Sequence, residues 1–218
     1  MRILVTGGSR GIGAEAIKLL RRMKHDVDAP PRRQLDMSSG GSIARYLARN
    51  PRPDAVLFSH GEWYSIKPND RGAYPLYHWM RQYDMRVVLP MVMIDRWLIK
   101  GDLQSVVMVS STRGFIGGVN TGPYAAACAA QIALMQGYAR EHLGCRFNCL
   151  CPGWTDTAMG TQVLETGGVK IGATPQSAEF VARVVVDLLL GKETGEVIQV
   201  AEGRATRAYW TRDEDNWP

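Results

Sequence analysis

The sequence predicts a single α/β domain of the Rossmann type, with a doubly wound, mainly parallel sheet of about seven strands. Three observations lead to this fold class. Short apolar segments with strand character alternate along the chain with segments whose apolar residues have helical spacing. A glycine-rich turn joins the first strand to the first helix. The 218 residues suffice for one such core, and no linker or repeat divides them.

The predicted elements follow one another in a regular order. The strands lie in residues 3–6, 25–30, 54–61, 104–111, 145–151 and 196–201. The helices lie in residues 14–23, 42–50, 74–100, 123–142 and 175–190, and the third of these ranges holds one or two helices. Pro123 and Pro175 start the last two helices, because proline is favoured in a first helical turn. The predicted loops are residues 62–73, 112–122 and 154–174. We therefore expect a domain of residues 1–201 and a charged, aromatic C-terminal tail of residues 202–218.

Composition and charge exclude several classes of protein. The net charge is +5, but the basic residues are scattered, so we predict no nucleic-acid partner. No apolar run has the length of a membrane span, and the chain starts with a strand instead of a signal peptide. We therefore expect a cytoplasmic protein without a membrane partner. The four cysteines, Cys128, Cys145, Cys149 and Cys151, lack the spacing of a metal site and are predicted to be buried free thiols.

The turn after the first strand has the pattern of a dinucleotide-binding loop. In its sequence TGGSRGIG, glycines permit the tight turn, let backbone amides approach a pyrophosphate, and let the next helix pack closely on the strand. The N-terminus of that helix then presents its free N–H groups to the anion. The residues predicted to bind the cofactor here are Gly7, Ser9, Arg10, Gly11, Ile12 and Gly13.

The spacing T-G-x-x-x-G-x-G in this loop resembles that of the short-chain dehydrogenase/reductase family, and the resemblance covers essentially the whole chain. It implies that Asp36 bonds the adenine ring while Met37 offers its backbone. Ser-His-Gly after the third strand stands where the family usually has Asn-Ala-Gly, and we expect its His60 to be a surface residue rather than a catalytic one. A Pro-Gly turn after the fifth predicted strand resembles the family's motif beside the nicotinamide. The cofactor contacts implied by these two motifs are Ser59, His60, Gly61, Pro152, Gly153, Thr155 and Thr157.

The charges near the second strand indicate which dinucleotide binds. An acid at the end of this strand binds the ribose hydroxyls of NAD, and Asp28 lies there. Arg10 in the glycine loop, with Arg32 and Arg33 after the strand, suits the 2′-phosphate of NADP, because a guanidinium forms paired hydrogen bonds with a phosphate. We therefore predict NADP(H), with NAD as the less favoured cofactor.

The resemblance also implies a catalytic set of Ser, Tyr, Lys and Asn, of which two members are present. Ser111 ends the fourth strand, and Tyr124 begins a helix thirteen residues later, which is the family's spacing. In the family, Ser polarises the carbonyl and Tyr exchanges a proton with it. Lys binds the nicotinamide ribose and lowers the pKa of Tyr, and Asn holds a water linked to Lys. Here Cys128 stands at the Lys position and Arg86 at the Asn position.

Three interpretations of these two replacements are open from the sequence. Arg86 brings a positive charge toward Tyr124 in place of the missing Lys, or it lies on the surface of a site that has lost its activity. As a third alternative, Cys128 is a nucleophile activated by Arg86. Without a cation beside it, Tyr124 keeps a pKa of ~10 and is an acid for reduction but a poor base for oxidation.

The function predicted from these residues is NADP(H)-dependent hydride transfer to a small carbonyl compound, biased toward reduction. The alternative, from another class, is a catalytically impaired NADP(H)-binding sensor or scaffold protein. The identity of the substrate depends on the loops 112–122 and 154–174 and is not specified by the sequence. Family members pair through long helices, so the alanine-rich helix 123–142 and the aromatic tail predict a homodimer or homotetramer.

Overall fold

A computed structural model describes residues 1–63, 73–99, 101, 103–165 and 174–208. Its central sheet contains β1 (Arg2–Thr6), β2 (Asp26–Asp28), β3 (Ala55–Phe58), β4 (Ser105–Val109), β5 (Arg146–Pro152), β8 (Val197–Ala201) and β9 (Arg204–Arg207). The strand order is β2-β1-β3-β4-β5-β8-β9, and all neighbours are parallel except β8 and β9. Two short strands, β6 (Thr155–Asp156) and β7 (Gln176–Ser177), pair separately. The predicted Rossmann fold with a seven-stranded, mainly parallel sheet is confirmed.

Seven α-helices accompany the strands in the described residues. They are α1 (Gly11–Arg22), α2 (Gly40–Arg49), α3 (Leu76–Tyr83), α4 (Leu89–Leu98), α5 (Gly122–Glu141), α6 (Ala158–Glu165) and α7 (Ala178–Leu190). A π-helical segment, Asp84–Val88, joins α3 to α4, and a 3-10 turn, Thr112–Gly114, follows β4. Within the described ranges, the structure has no helix both long and apolar enough to cross a membrane.

Alternate residues of the central strands enter two apolar layers on opposite faces of the sheet. Val56 and Phe58 of β3 pack in the layer that includes residues of α2, α4 and α5. Ala55 and Leu57 pack in the layer that includes residues of α1 and α7. A parallel sheet covered on both faces needs apolar residues at every strand position, and β3 is buried throughout. The helices therefore occupy both faces, and the loops after the strands meet at one edge of the sheet.

The expected domain boundary at residue 201 falls inside a β-hairpin. Glu202 and Gly203 both have positive φ, at 52° and 71°, and they form the two-residue turn between β8 and β9. A two-residue hairpin turn with positive φ at both positions matches the twist of the strands that it joins. The first part of the predicted tail is therefore an edge strand of the sheet, while residues 209–218 lie outside the described part of the chain.

The predicted loop 154–174 contains regular structure. The Thr157 hydroxyl accepts a hydrogen bond from the backbone N–H of Gly160 at 3.0 Å and so stabilises the first turn of α6. The helix predicted from Pro175 begins later, because residues 176 and 177 form β7, and the Ser177 hydroxyl accepts from the Phe180 N–H at 3.1 Å. The loop prediction is thus wrong for residues 155–165, and residues 166–173 lie outside the described part.

Candidate active site

A cavity of about 740 Å³ opens where the strand order reverses, at the carboxyl ends of β1, β3, β4 and β5. This edge is the usual ligand site of a doubly wound sheet. The cavity brings together most of the residues that the sequence indicated. They are Gly7, Ser9, Arg10, Gly11, Ile12, Arg32, Asp36, Met37, Ser59, His60, Gly61, Arg86, Ser111, Tyr124, Pro152, Gly153, Thr155 and Thr157. Gly13, Arg33 and Cys128 do not line it.

The glycine loop forms a cradle that side chains would fill. Gly7 has a φ of +70°, and a Cβ there would lie 2.6 Å from the backbone of His60. A Cβ on Gly13 would lie 2.6 Å from the carbonyl oxygen of Gly7, so Gly13 serves close packing instead of lining the cavity. Because α1 begins at Gly11, which lines the cavity, the free N–H groups of its first turn lie at this edge, a position that suits an anion.

The acid whose position in the sequence favours NAD forms its hydrogen bonds outside the cavity. Asp28, at the end of β2, accepts a hydrogen bond from the Tyr46 hydroxyl at 2.6 Å and another from the Arg2 guanidinium at 3.4 Å. It does not line the cavity. Arg32 does line it and pairs with Asp36 at 3.2 Å and with Glu62 at 3.4 Å. Of these two charged residues near β2, Arg32 therefore lines the cavity and Asp28 does not.

Asp36 remains ionised beside Arg32. Burial acts to raise its pKa, but hydrogen bonds from the Ser38 hydroxyl and backbone, together with Arg32, hold the pKa below its ordinary value. The Ser38 hydroxyl lies 2.7 Å from the carboxylate and its N–H 2.9 Å. The carboxylate thus orients Arg32 at the mouth of the cavity, in addition to the adenine contact that the resemblance implies.

His60 is partly buried and joins two elements, so the expectation of a surface residue is wrong. Its Nε2 lies 2.8 Å from the carbonyl oxygen of Met85, and its Nδ1 lies 2.7 Å from the Thr6 hydroxyl. A carbonyl only accepts, so Nε2 carries the proton and Nδ1 accepts from Thr6. Burial, with a smaller effect from Arg86, lowers the pKa of His60 to about 4, and the ring is neutral at physiological pH.

The π-helical segment and the proline after it leave two backbone carbonyls, those of Met85 and Arg86, free to accept hydrogen bonds from side chains. The Leu89 N–H bonds Asp84 instead of Met85, which leaves the Met85 carbonyl to His60. Pro90 has no N–H, so the Arg86 carbonyl lacks its usual helical donor and accepts from the Gln131 amide at 3.0 Å. Such π-helical turns occur most often at functional sites. The widened turn directs Arg86 into the protein.

The Arg86 guanidinium lies against the ring of Tyr124. Its central carbon is 4.5 Å from the ring centre, and the residue is only 2% exposed. Nε donates to the Gln82 side-chain oxygen at 3.0 Å, and Nη2 donates to the Glu62 carbonyl at 3.2 Å. No carboxylate of the described residues forms an ion pair with it. Arg86 is thus a buried cation beside Tyr124, and the interpretation that it lies on the surface is wrong.

Tyr124 is 6% exposed, and burial is the main reason that its pKa is raised to about 12. The nearby Cys128 thiol raises this pKa further, while Arg86 and a hydrogen bond with the Ser111 side chain lower it. Ser111 and Tyr124 line the same cavity, as the spacing of the two residues implies. At neutral pH the phenol keeps its proton and is a donor.

Cys128 lies beneath the cavity and not in it. The residue is fully buried, and burial raises the pKa of its thiol. A cysteine nucleophile must be accessible to its substrate and must be a thiolate, and Cys128 meets neither condition. The structure thus contradicts the nucleophile interpretation. The four cysteines are free and buried, as expected, and the described residues form no cluster of metal ligands.

An apolar wall covers Tyr124, and the sequence did not identify its residues. Trp63 contacts the Tyr124 ring edge-to-face with centres 5.0 Å apart, and Met159 and Val163 of α6 pack on this pair. Trp154 also lines the cavity. In the sequence, only the position of Glu62 and Trp63 directly after the predicted third strand indicates that they lie at the cavity. Met159 and Val163 were hidden because α6 was predicted to be a loop.

Comparison with known proteins agrees with this geometry. A family model described as short chain dehydrogenase matches residues 85–167. The uncharacterized oxidoreductase YciK of Escherichia coli K12 is 30% identical, and the match covers 75% of this chain and 77% of that protein. An acetoacetyl-CoA reductase of Synechocystis is 27% identical and covers 91% of this chain and 93% of its own. The crystal structure of a small-chain dehydrogenase in complex with NADPH has a TM-score of 0.79 at 22% identity, over 93% of this chain and 97% of that one.

Proposed function

The chain belongs to the short-chain dehydrogenase/reductase family, and on that premise we propose that it reduces a small carbonyl compound with NADPH. The observation that carries the proposal is the juxtaposition of Arg86 and Tyr124 at the cavity, where a cation stands beside a protonated phenol although the family's Lys is missing. The solved relative in complex with NADPH supports the cofactor class.

The cavity fits a nicotinamide dinucleotide at several points. The glycine cradle and the start of α1 suit the pyrophosphate, and Arg10 and Arg32 suit a 2′-phosphate. Asp36 and Met37 are proposed for the adenine. The turn at Pro152 and Gly153, with Thr155 and Thr157, is proposed for the nicotinamide end. Ser59, His60 and Gly61 form the wall between the two ends. When bound, the cofactor supplies the hydride.

The residues of the chain then supply the proton and the orientation. Ser111 donates a hydrogen bond that polarises the carbonyl, and Tyr124 donates its proton to the carbonyl oxygen. As the proton leaves, negative charge develops on the Tyr124 oxygen, and the guanidinium of Arg86 stabilises it. Trp63 and α6 limit the access of water to this step. Because the phenol is protonated at neutral pH, reduction is favoured over oxidation.

The preference for NADPH over NADH tests the cofactor assignment. Arg10→Ala combined with Arg32→Ala is expected to lower NADPH affinity about tenfold per arginine, because each removes a charge-assisted hydrogen bond to the 2′-phosphate. NADH affinity should stay nearly constant. Both affinities are measured by nicotinamide fluorescence. Arg33→Ala removes the same charge outside the cavity and is the matched comparison. Equal affinity of the unmodified protein for NADPH and NADH would contradict the assignment.

A nucleotide-binding protein without turnover is the second candidate function. The observation that favours it is the enclosure of Tyr124, which is buried by Trp63 and α6. NADPH consumption with a panel of aldehydes and ketones, beside NADPH binding by fluorescence, separates the two. Binding without consumption supports the sensor or scaffold, and consumption supports the reductase.

Association of copies of the chain is proposed through α3, α4 and α5. The small-residue face of α5 is formed by Ala126, Ala129, Ala130 and Ala133. On α3, Leu76, Tyr77 and Met80 are more than half exposed. A dimer or tetramer would bury these apolar side chains. We expect a dimer or tetramer in sedimentation velocity at micromolar concentration. A monomer would show that the alanines of α5 serve only to stabilise the helix and do not form an interface.

A further inference from the structure

Several polar groups among the described residues of the cavity are already engaged within the protein. Ser111 and Tyr124 both act on the carbonyl oxygen in the proposed reaction. The indole N–H of Trp154 is already engaged, because it donates to the Gly160 carbonyl at 3.1 Å. The Thr155 hydroxyl likewise donates to the Gly153 carbonyl at 3.0 Å. The substrate therefore meets hydrogen-bonding groups at its carbonyl, and its remainder faces other surfaces.

One of those surfaces is an apolar wall of the cavity. Trp63 packs on Tyr124, and Met159 and Val163 of α6 complete one cluster with them. An aromatic wall gains affinity from a flat ring through burial and edge-to-face or stacked contacts. The thioether of Met159 is flexible and adapts to the shape of a ring. A polyol would leave its hydroxyls without partners against this wall.

Most of the charged groups among the described lining residues are held by contacts within the protein. The acids among its described lining residues are Asp36 and Glu62, and both pair with Arg32. Arg113 lines the cavity but folds over its own loop, where a Cβ on Gly118 would lie 2.6 Å from its guanidinium. Arg86 is held beneath the Tyr124 ring by Gln82 and Glu62.

We infer that the carbonyl substrate carries a flat apolar substituent and is an aryl aldehyde or aryl ketone, bound in the cavity against the side of Trp63 and α6 that lines it. This inference rests on the proposed function, since it names the substrate class of the same site. The ring lies on the wall formed by Trp63, Met159 and Val163, and the carbonyl points to Ser111 and Tyr124.

Three aldehydes test the class with NADPH as the reductant. Benzaldehyde presents the ring alone, 4-carboxybenzaldehyde adds a carboxylate to the same ring, and glyceraldehyde presents hydroxyls without a ring. We expect kcat/KM for benzaldehyde to exceed that for glyceraldehyde by roughly ten- to a hundredfold, as burial of a ring implies. Preference for 4-carboxybenzaldehyde, or equal values for benzaldehyde and glyceraldehyde, would overturn the inference and leave the reductase intact. No NADPH consumption with any of them would overturn the reductase itself.

Two variants locate the ring. Trp63→Ala removes the wall and is expected to raise KM for benzaldehyde about tenfold, with little change for glyceraldehyde. Val163→Thr nearly keeps the volume but replaces a methyl group with a hydroxyl, and it should lower the preference for benzaldehyde over glyceraldehyde, as Trp63→Ala does. Val92→Thr makes the same change at an exposed position of α4 and is the control. An unchanged ratio of the two aldehydes in both Trp63→Ala and Val163→Thr would show that the ring binds elsewhere.

Discussion

Arg86→Ala is expected to lower the rate of NADPH-dependent reduction by about 10²-fold or more, the scale of general acid catalysis. In the structure the guanidinium carbon is 4.5 Å from the centre of the Tyr124 ring, and the site has little water to screen the charge. The charge of Arg86 lowers the pKa of Tyr124, so it stabilises the negative charge that Tyr124 acquires as its proton leaves. The measurement is single-turnover oxidation of NADPH that is fully bound by excess protein before saturating aldehyde is added, so that cofactor affinity does not enter.

The dependence on pH follows from the pKa of Tyr124. Because that pKa is about 12, the phenol is protonated below pH 12, and reduction should be nearly constant between pH 6 and 9. Alcohol oxidation needs the tyrosinate, so its rate should rise about tenfold for each pH unit in the same range. Arg86 lowers the pKa of Tyr124, and its removal should shift the oxidation profile to still higher pH.

Gln82→Glu separates the charge of Arg86 from its packing. The variant places a carboxylate at the site of the Gln82 oxygen, 3.0 Å from Nε, so it neutralises the guanidinium with little change in volume. We expect the rate to fall as in Arg86→Ala while the protein remains folded. Arg96→Ala removes an exposed charge from α4 and should leave the rate unchanged. If both Arg86→Ala and Gln82→Glu keep the full rate, Arg86 does not assist Tyr124, and the nucleotide-binding alternative gains support.

The sheet could be predicted because its central strands are buried on both faces. Segments such as residues 105–109 are apolar at nearly every position, a pattern that solvent-exposed strands do not have. The glycine loop could be predicted equally well. At position 7 the close approach of the backbone and the positive φ favour glycine over every other residue. Both signals are local, so a single sequence contains them.

The environment of Tyr124 could not be predicted, because it depends on a helix irregularity and on contacts between distant segments. Pro90 marked the irregularity, but a proline inside a helical segment does not show which carbonyls it frees or which side chains take them. Here the donors are His60 and Gln131, from a loop and from another helix. The edge strand β9 was also missed, since its four residues are exposed and resemble a polar tail.

Cys128→Lys, which restores the family's Lys, is expected to destabilise the protein instead of adding activity. Cys128 is fully buried and lies close enough to Arg86 for the guanidinium to influence its thiol. The substitution buries a second cation beside Arg86, with no described carboxylate to pair with either one. An uncompensated buried charge costs about 3–5 kcal/mol, so Tm should fall by roughly 10 °C.

Adding Arg86→Asn to Cys128→Lys should recover most of that loss, because it removes the cation that repels the new ammonium. The double variant also carries the Ser, Tyr, Lys and Asn set that the resemblance implies, with Ser111 and Tyr124 already in one cavity. Thermal unfolding of the two single variants and the double variant gives the coupling between the positions. The buried Cys145 provides the matched control, since Cys145→Lys should show no such coupling with Arg86→Asn. Additive effects for Arg86→Asn and Cys128→Lys would mean that the two side chains do not share one electrostatic site, and Arg86 would then not stand in for the missing Lys.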